Sequence, residues 1–222
     1  MNLALFDLDN TLLDTDSDYE WGVFLCEIGA VDLAEFRRDN DKFMADYNRG
    51  QLNVHEFLAF QFAPLKKYPR AILEKWHADF MQKKIIPRVL KKGQMKIAEH
   101  QNNGDVLLLV SATNTFVVAP IARDLGIANV ASTIAAQNEK GDFTGEVRGA
   151  PSFQAGKIEA VERWLESQGY FWDYFEKTFF YSDSFNDLPL LRKVSHPCAV
   201  NPDAKLFKHA QDNGWQILDF RG

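Results

Sequence analysis

The sequence predicts an α/β protein, a parallel sheet with an all-helical segment inserted after its first strand. Short apolar, partly β-branched runs at residues 3–6, 106–110, 178–181, 198–200 and 215–218 have the form of buried strands. Amphipathic stretches alternate with the later runs, the pattern of βαβ units. Residues 16–86 break that rhythm, because every apolar pattern in them has helical spacing.

Taken in order, the first run stops abruptly at Asp7. Trp21, Phe24, Leu25 and Ile28 then follow i, i+3, i+4, i+7, and Val54, Phe57, Leu58 and Phe62 and Ile72, Leu73, Trp76 and Phe80 make two further stripes. Ser17-x-x-Glu20 has capping-box form, Asp32 and Asn53 suit helix starts, and Pro69 precedes the third stripe. After the strand at 106–110, Phe116, Pro120, Ile121 and Leu125 form a helix closed by Gly126. Residues 133–149 carry Asn138 to Gly141 between Thr133-Ile134 and Phe143-Thr144, which predicts a β-hairpin. Ile158, Val161, Trp164 and Leu165, and later Leu206, Phe207 and Ala210, mark the remaining helices.

Composition narrows the function. Of 222 residues, 46% are hydrophobic and 25% charged, values of an ordinary globular chain and not a disordered one. The run at 106–110 is far short of the ~20 residues that span a bilayer, and Asp7 and Asp9 interrupt the N-terminal apolar stretch, so neither a membrane span nor a signal peptide is expected. Two cysteines, Cys26 and Cys198, are too few for a disulfide framework, which points to the cytoplasm. A net charge of −6 without a basic cluster argues against nucleic acid as a partner. The 18 Phe, with 5 Trp and 6 Tyr, gather mainly in residues 19–80 and 170–185, which predicts two packing centres, one private to the helical insertion.

The chemistry gathers at strand ends. Asp7-Leu8-Asp9-Asn10-Thr11 follows the first strand, where open α/β sheets bind ligands. Ser111-Ala112-Thr113 follows the second long run and leads toward a helix, whose free amides suit an anion. Lys157 opens the helix of the Ile158 stripe, and Ser182-Asp183-Ser184-Phe185-Asn186-Asp187 follows the run at 178–181. Each motif alone has a bland reading: a polar loop, a helix cap, a solvated lysine. Together, acid, hydroxyl, amine and acid at one sheet edge make coincidence a poor account. A phosphate loop is excluded at residues 149–157, because Pro151 occupies the place of its first glycine and Ile158 that of its Ser/Thr. The five histidines have no HxxxH spacing, which argues against zinc, and Cys198 reads as a small buried hydrophobe.

In that order and spacing, Asp7-x-Asp9-x-Thr11, Ser111-Ala112-Thr113, Lys157 and Asp183 to Asp187 resemble the four motifs of the haloacid dehalogenase superfamily, in its phosphoserine-phosphatase-like branch with a helical cap. The resemblance covers nearly the whole chain. It implies a Rossmann-like three-layer core from residues 1–15 and 87–222, a cap from residues 16–86, and Mg²⁺-dependent hydrolysis of a small-molecule phosphate ester. Asp7 would be the nucleophile and, with Asp183 and the Asp9 carbonyl, a metal ligand; Asp9 would be the acid and base. Thr11, Ser111, Ala112, Thr113, Lys157 and Asn186 would hold phosphate, and Asp187 would orient Lys157 or a metal-bound water. Ser182 departs from the branch, which has Gly there.

Asp16 has no structural task left by the capping box and matches the position at which such phosphatases read a substrate amine, so an amine-bearing ester such as histidinol phosphate or phosphoserine is expected. Phosphoserine also needs a cationic partner for its carboxylate, with Arg37, Arg38 and Arg49 as candidates. Phosphoryl transfer to an acceptor other than water is an alternative. A receiver-type phospho-aspartate module is a weaker one, since such modules lack Asp9 and any insertion of this size.

Overall fold

The structure is a computed structural model and describes residues 1–49 and 51–222. Strands β1 (Leu3–Phe6), β2 (Val106–Asn114), β3 (Asn129–Thr133), β6 (Thr178–Ser182), β7 (His196–Val200) and β8 (Gln216–Leu218) form one sheet in the order β3-β2-β1-β6-β7-β8, and every pairing in it is parallel. A hairpin of β4 (Ala135–Gln137) and β5 (Phe143–Val147) stands apart.

Alternate side chains of each strand bury on opposite faces, so the sheet needs cover on both. Ala4, Phe6, Leu107 and Leu109 pack on one face with α6 (Thr115–Asp124) and with Ile97 of α5 (Lys91–Asn102). Leu3, Leu5, Leu108 and Val110 pack on the other with α7 (Gly156–Ser167), α8 (Leu188–Lys193) and α9 (Ala204–Asp212). The result is the three-layer Rossmann-like α/β architecture that the strand pattern predicts. No helix among the described residues is long and apolar enough to cross a membrane.

Between β1 and β2 the chain is helical: α1 (Ser17–Glu27), α2 (Leu33–Asn48), α3 (Val54–Lys67) and α4 (Arg70–Phe80), followed by a π turn at Met81–Ile85 and a 3₁₀ turn at Ile86–Arg88. The stretches entering and leaving this segment run side by side, joined by Asp14 N–H to the Arg88 carbonyl (2.8 Å) and Leu90 N–H to the Leu12 carbonyl (2.9 Å). Asp32 and Asn53 cap α2 and α3 as expected.

Four expectations need correction. Only part of the helical segment's aromatic excess is private to it: Phe36, Phe43, Phe57 and Phe60 pack on one another, whereas Trp21, Phe24, Phe62 and Phe80 belong to one continuous apolar cluster with Ala4, Phe6 and Leu109 of the sheet. The physical reason is economy of surface, since one face of a helical segment and one face of a sheet cover each other. The cap of α1 is Asp16, whose carboxylate accepts the Tyr19 N–H at 2.8 Å, so Ser17 is already inside the helix. And β2 runs on to Asn114, so Ser111, Ala112 and Thr113 lie on the strand, while Asn114 caps α6 through the Val117 N–H. The polar run 111–114 hides that extension, as polarity hides α5 and shortness hides β3 and α8. In the hairpin, Thr133 ends β3 and is not part of the turn-flanking strand.

Candidate active site

Strand β1 lies at the sheet centre with β2 on one side and β6 on the other, the point where strand order reverses and a crevice opens at the carboxyl ends. Asp7, one residue past β1, still donates its N–H to the Tyr181 carbonyl (2.9 Å), which fixes its backbone against β6. Asn10 then takes a left-handed turn (φ 57°), within which Thr11 folds back under Asp7.

Lys157 is the hub. Its buried ammonium donates to Asp7 Oδ1 and to Asp187 Oδ2, both at 2.7 Å. Burial by itself would lower the pKa of this lysine, but Asp187 and Asp7 raise it, so it stays charged. Ser182 donates to the same Asp187 Oδ2 at 2.7 Å and accepts the Ser184 N–H at 3.2 Å. The serine that departs from the resembled pattern is therefore a brace for Asp187, which a glycine could not be. Thr11 corrects another expectation. It is fully buried, its hydroxyl lies 3.2 Å from Asp7 Oδ2 and 3.3 Å from Asp183 Oδ1 and accepts the Asp183 N–H, so it ties two motifs together behind the site and does not line the cavity.

Asp9 faces the other way. Its Oδ1 accepts the Ser17 N–H (2.7 Å) and its Oδ2 the Thr113 hydroxyl (3.1 Å), which bridges the first helix of the insertion to β2. Ser111 is buried, with its oxygen on the Thr113 N–H. Asn186 lies at the mouth, 3.4 Å from Gln154 Nε2.

A cavity of about 480 Å³ opens above these groups. Its floor holds Asp7, Asp9, Ala112, Thr113, Lys157, Asp183, Asn186 and Asp187. Its opposite wall, from the helical segment, is Phe43, Met44, Tyr47, Leu52, Val54, Phe57 and Leu58. The Tyr47 hydroxyl reaches Ser184 Oγ at 3.1 Å and so touches the motif that carries Asp183. Asp16 and Asp18 line the cavity too. Asp16 has one oxygen committed to its cap, which contradicts the idea that it lacks a structural task; Asp18 is buried, with one long contact to Asn114 Nδ2 (3.5 Å). None of Arg37, Arg38 and Arg49 lines the cavity; Arg38 pairs with Asp39 and Arg49 with Asp46 at the surface. Asp18, Tyr47 and Lys205 are lining residues that sequence patterns missed, because a helical stripe marks only the apolar face.

The carboxylates are short of positive charge. Burial pushes Asp7 up to about 7 against the pull of Lys157, and burial with the neighbouring Asp16 pushes Asp9 to about 7. Asp183 is raised well above the carboxylate range by burial, then by Asp7 and Asp187. Two hard carboxylates, Asp7 and Asp183, held by one threonine fit an ion that takes oxygen ligands and keeps its waters, which is the preference of Mg²⁺. Among the described residues no group of three or more His, Cys, Asp and Glu is arranged to hold a metal.

The parallel sheet thus brings an aspartate at its central strand end, a buried lysine across from it and a second acidic strand end into one crevice, the make-up of a hydrolytic site. Residues 4–192 match the haloacid dehalogenase-like hydrolase family, and the chain belongs to that family. It is a phosphatase by its relatives: it is 45% identical over 220 residues, 99% of each chain, to the histidinol-phosphatase of Neisseria meningitidis serogroup C (strain 8013). Its fold matches a crystal structure of a Bordetella pertussis Tohama I protein of unknown function with a TM-score of 0.94 and 43% identity, covering 99% of this chain and 98% of that one. A substrate-bound phosphoserine phosphatase complex matches at a TM-score of 0.68 and 23% identity, covering 99% and 92%, which is a likeness of fold.

Proposed function

We propose that this protein hydrolyses a small amine-bearing phosphomonoester through an aspartyl-phosphate on Asp7, with histidinol phosphate as the substrate. The observation that carries the substrate is the cavity wall. Among the described residues the helical segment lines the cavity with apolar and aromatic side chains, the Tyr47 hydroxyl and the carboxylates Asp16 and Asp18, and contributes neither Arg nor Lys. A substrate carboxylate has no partner on that wall, whereas an ammonium has two and a planar ring has Phe43, Tyr47 and Phe57. The relative that is 45% identical carries the matching activity in its name.

Residues 16–86 would act as a cap over a core of residues 1–15 and 87–222, hinged where residues 12–14 run beside 88–90. Mg²⁺, held by Asp7, Asp183 and the Asp9 carbonyl, would supply charge neutralisation between the phosphate dianion and the carboxylates. Asp7 Oδ attacks phosphorus in line with the leaving alkoxide oxygen; the P–O ester bond breaks as the Asp7–P bond forms. Lys157 holds the other Asp7 oxygen and faces the phosphoryl group, joined by the Ala112 amide and Asn186, while Ser111, which does not line the cavity, and the Thr113 N–H are bonded to each other behind it. Asp9, held by Ser17 and Thr113, gives its proton to the leaving alkoxide and then takes one from the water that attacks the acyl phosphate. A carboxyl titrating near neutrality suits both tasks. Cys26 and Cys198 are free thiols, which supports a cytoplasmic setting.

The test is phosphate release from histidinol phosphate, phosphoserine and p-nitrophenyl phosphate, with and without EDTA. Histidinol phosphate is expected to have the highest kcat/KM, and activity is expected to vanish with EDTA and in Asp7→Asn. Full activity in Asp7→Asn would overturn the mechanism, and a preference for phosphoserine would overturn the substrate.

A further inference from the structure

A second cavity, larger than the first at about 780 Å³, lies on the other side of the α6 N-terminus. It is walled by α4 of the helical segment, by α6, by the hairpin and by α7, and it contains none of the residues assigned above. Its charge is opposite. Arg70, Arg123, Arg148 and Arg163 line it against the single carboxylate of Glu74, in a chain whose net charge is −6 and whose first cavity is rich in aspartate. Arg70 is spent on Glu74 (2.8 Å) and on the rings of Phe116 and Phe143. Arg163 reaches Glu159 only at 3.8 Å, and Arg123 and Arg148 form no ion pair among the described residues. Half-buried Trp164 offers a ring beside them, over a floor of Ala119, Pro120, Ile134 and Ala135.

We infer that this groove binds a small polyanion with a planar ring, of nucleoside-phosphate chemistry. The volume falls in the range of ~300–1,000 Å³ that small-molecule sites occupy, and arginine forks read phosphate oxygens in pairs while an indole face takes a ring. The occupant would touch both sides of the structure. Arg70 and His77 come from α4 and Met81 from the π turn after it, whereas Arg123 and Arg163 come from α6 and α7, and α7 carries Lys157 less than two turns before Arg163. Binding therefore braces the helical segment against the sheet layers.

The experiment is calorimetric titration of the metal-stripped full chain, in buffer free of chelator, with ATP and with adenosine. Without metal the aspartate-lined cavity repels the anion, so binding reports the groove. Saturable one-to-one binding of ATP and a rise in Tm are expected, with no binding of adenosine. Arg123→Glu/Arg163→Glu, which changes two exposed side chains, is expected to weaken ATP by more than about tenfold while keeping p-nitrophenyl phosphate turnover and the Tm of the free chain. No saturable binding at millimolar ATP, or equal binding by the variant, overturns the inference.

Discussion

Replacing Lys157 by Met tests the centre of the site. The stem of the lysine is kept in volume, and what is lost is an ammonium with two 2.7 Å bonds to carboxylates that are themselves buried. Each charge-assisted bond is worth about 1.5–3 kcal/mol, and a buried pair broken on one side typically costs about 3–5 kcal/mol, because the remaining charge has no compensation. Asp7 and Asp187 would both be left so, although Ser182 still donates to Asp187 and Thr11 still lies against Asp7. The expected loss is therefore about 3–5 kcal/mol in urea unfolding of the metal-free protein, together with a fall in kcat on the order of 10²–10³ from the missing phosphoryl partner. Lys208→Met is the comparison. Its pair with Asp212 is open to solvent, with 76% and 59% of the two side chains exposed, and a loss under about 1 kcal/mol is expected. If Lys157→Met lost no more stability than Lys208→Met and kept its turnover, the reasoning from buried charge would be refuted.

Ser182→Gly restores the glycine of the resembled pattern and removes one donor from Asp187; a loss of about 1 kcal/mol and a several-fold lower kcat are expected, and an unchanged kcat would mean that Lys157 alone orients Asp187. Tyr47→Phe keeps the ring and deletes the contact to Ser184; a higher KM with an unchanged Tm is expected from steady-state kinetics and thermal melts. At Gly156 an added Cβ would collide with the Pro151 carbonyl oxygen, so Gly156→Ala is expected to shift the start of α7, cost about 1–3 kcal/mol and lower kcat through Lys157. Burial lowers the pKa of His77, whose Nε2 meets the Val117 carbonyl at 2.9 Å between α4 and α6. The unfolded chain binds the proton first as pH falls below 6.5, so stability present above that pH is lost going down; His77→Gln is expected to flatten Tm between pH 7 and pH 5, and an unchanged slope would assign the acid sensitivity elsewhere.

The parallel sheet, the helical segment and the four motifs were legible because each is a local pattern: an apolar run of strand length, a stripe of helical spacing, an acid directly after a strand. Elements whose sequences are polar or short escaped. Residues 111–114 look like a loop and are the end of β2, since they run past β1 and pair in parallel with β3 at Ser111–Ser132 and Asn114–Thr133, a backbone pairing that their side chains do not announce. Asp16 and Ser17 are adjacent cap-competent residues, and only the path of the chain into α1 selects Asp16. In the site, the sequence by itself determined the chemical inventory, from Asp7 and Asp9 to Lys157, Asp183 and Asp187. Only the tertiary structure decided how it is spent. It put Thr11 behind the carboxylates and Ser182 on Asp187, left Arg37, Arg38 and Arg49 at the surface, and brought Asp18 and Tyr47 to the cavity. The reason is physical: residue type sets what a side chain can donate or accept, but desolvation and distance, which decide partner and charge, arise between groups far apart in the chain, as 150 residues separate Asp7 from Lys157.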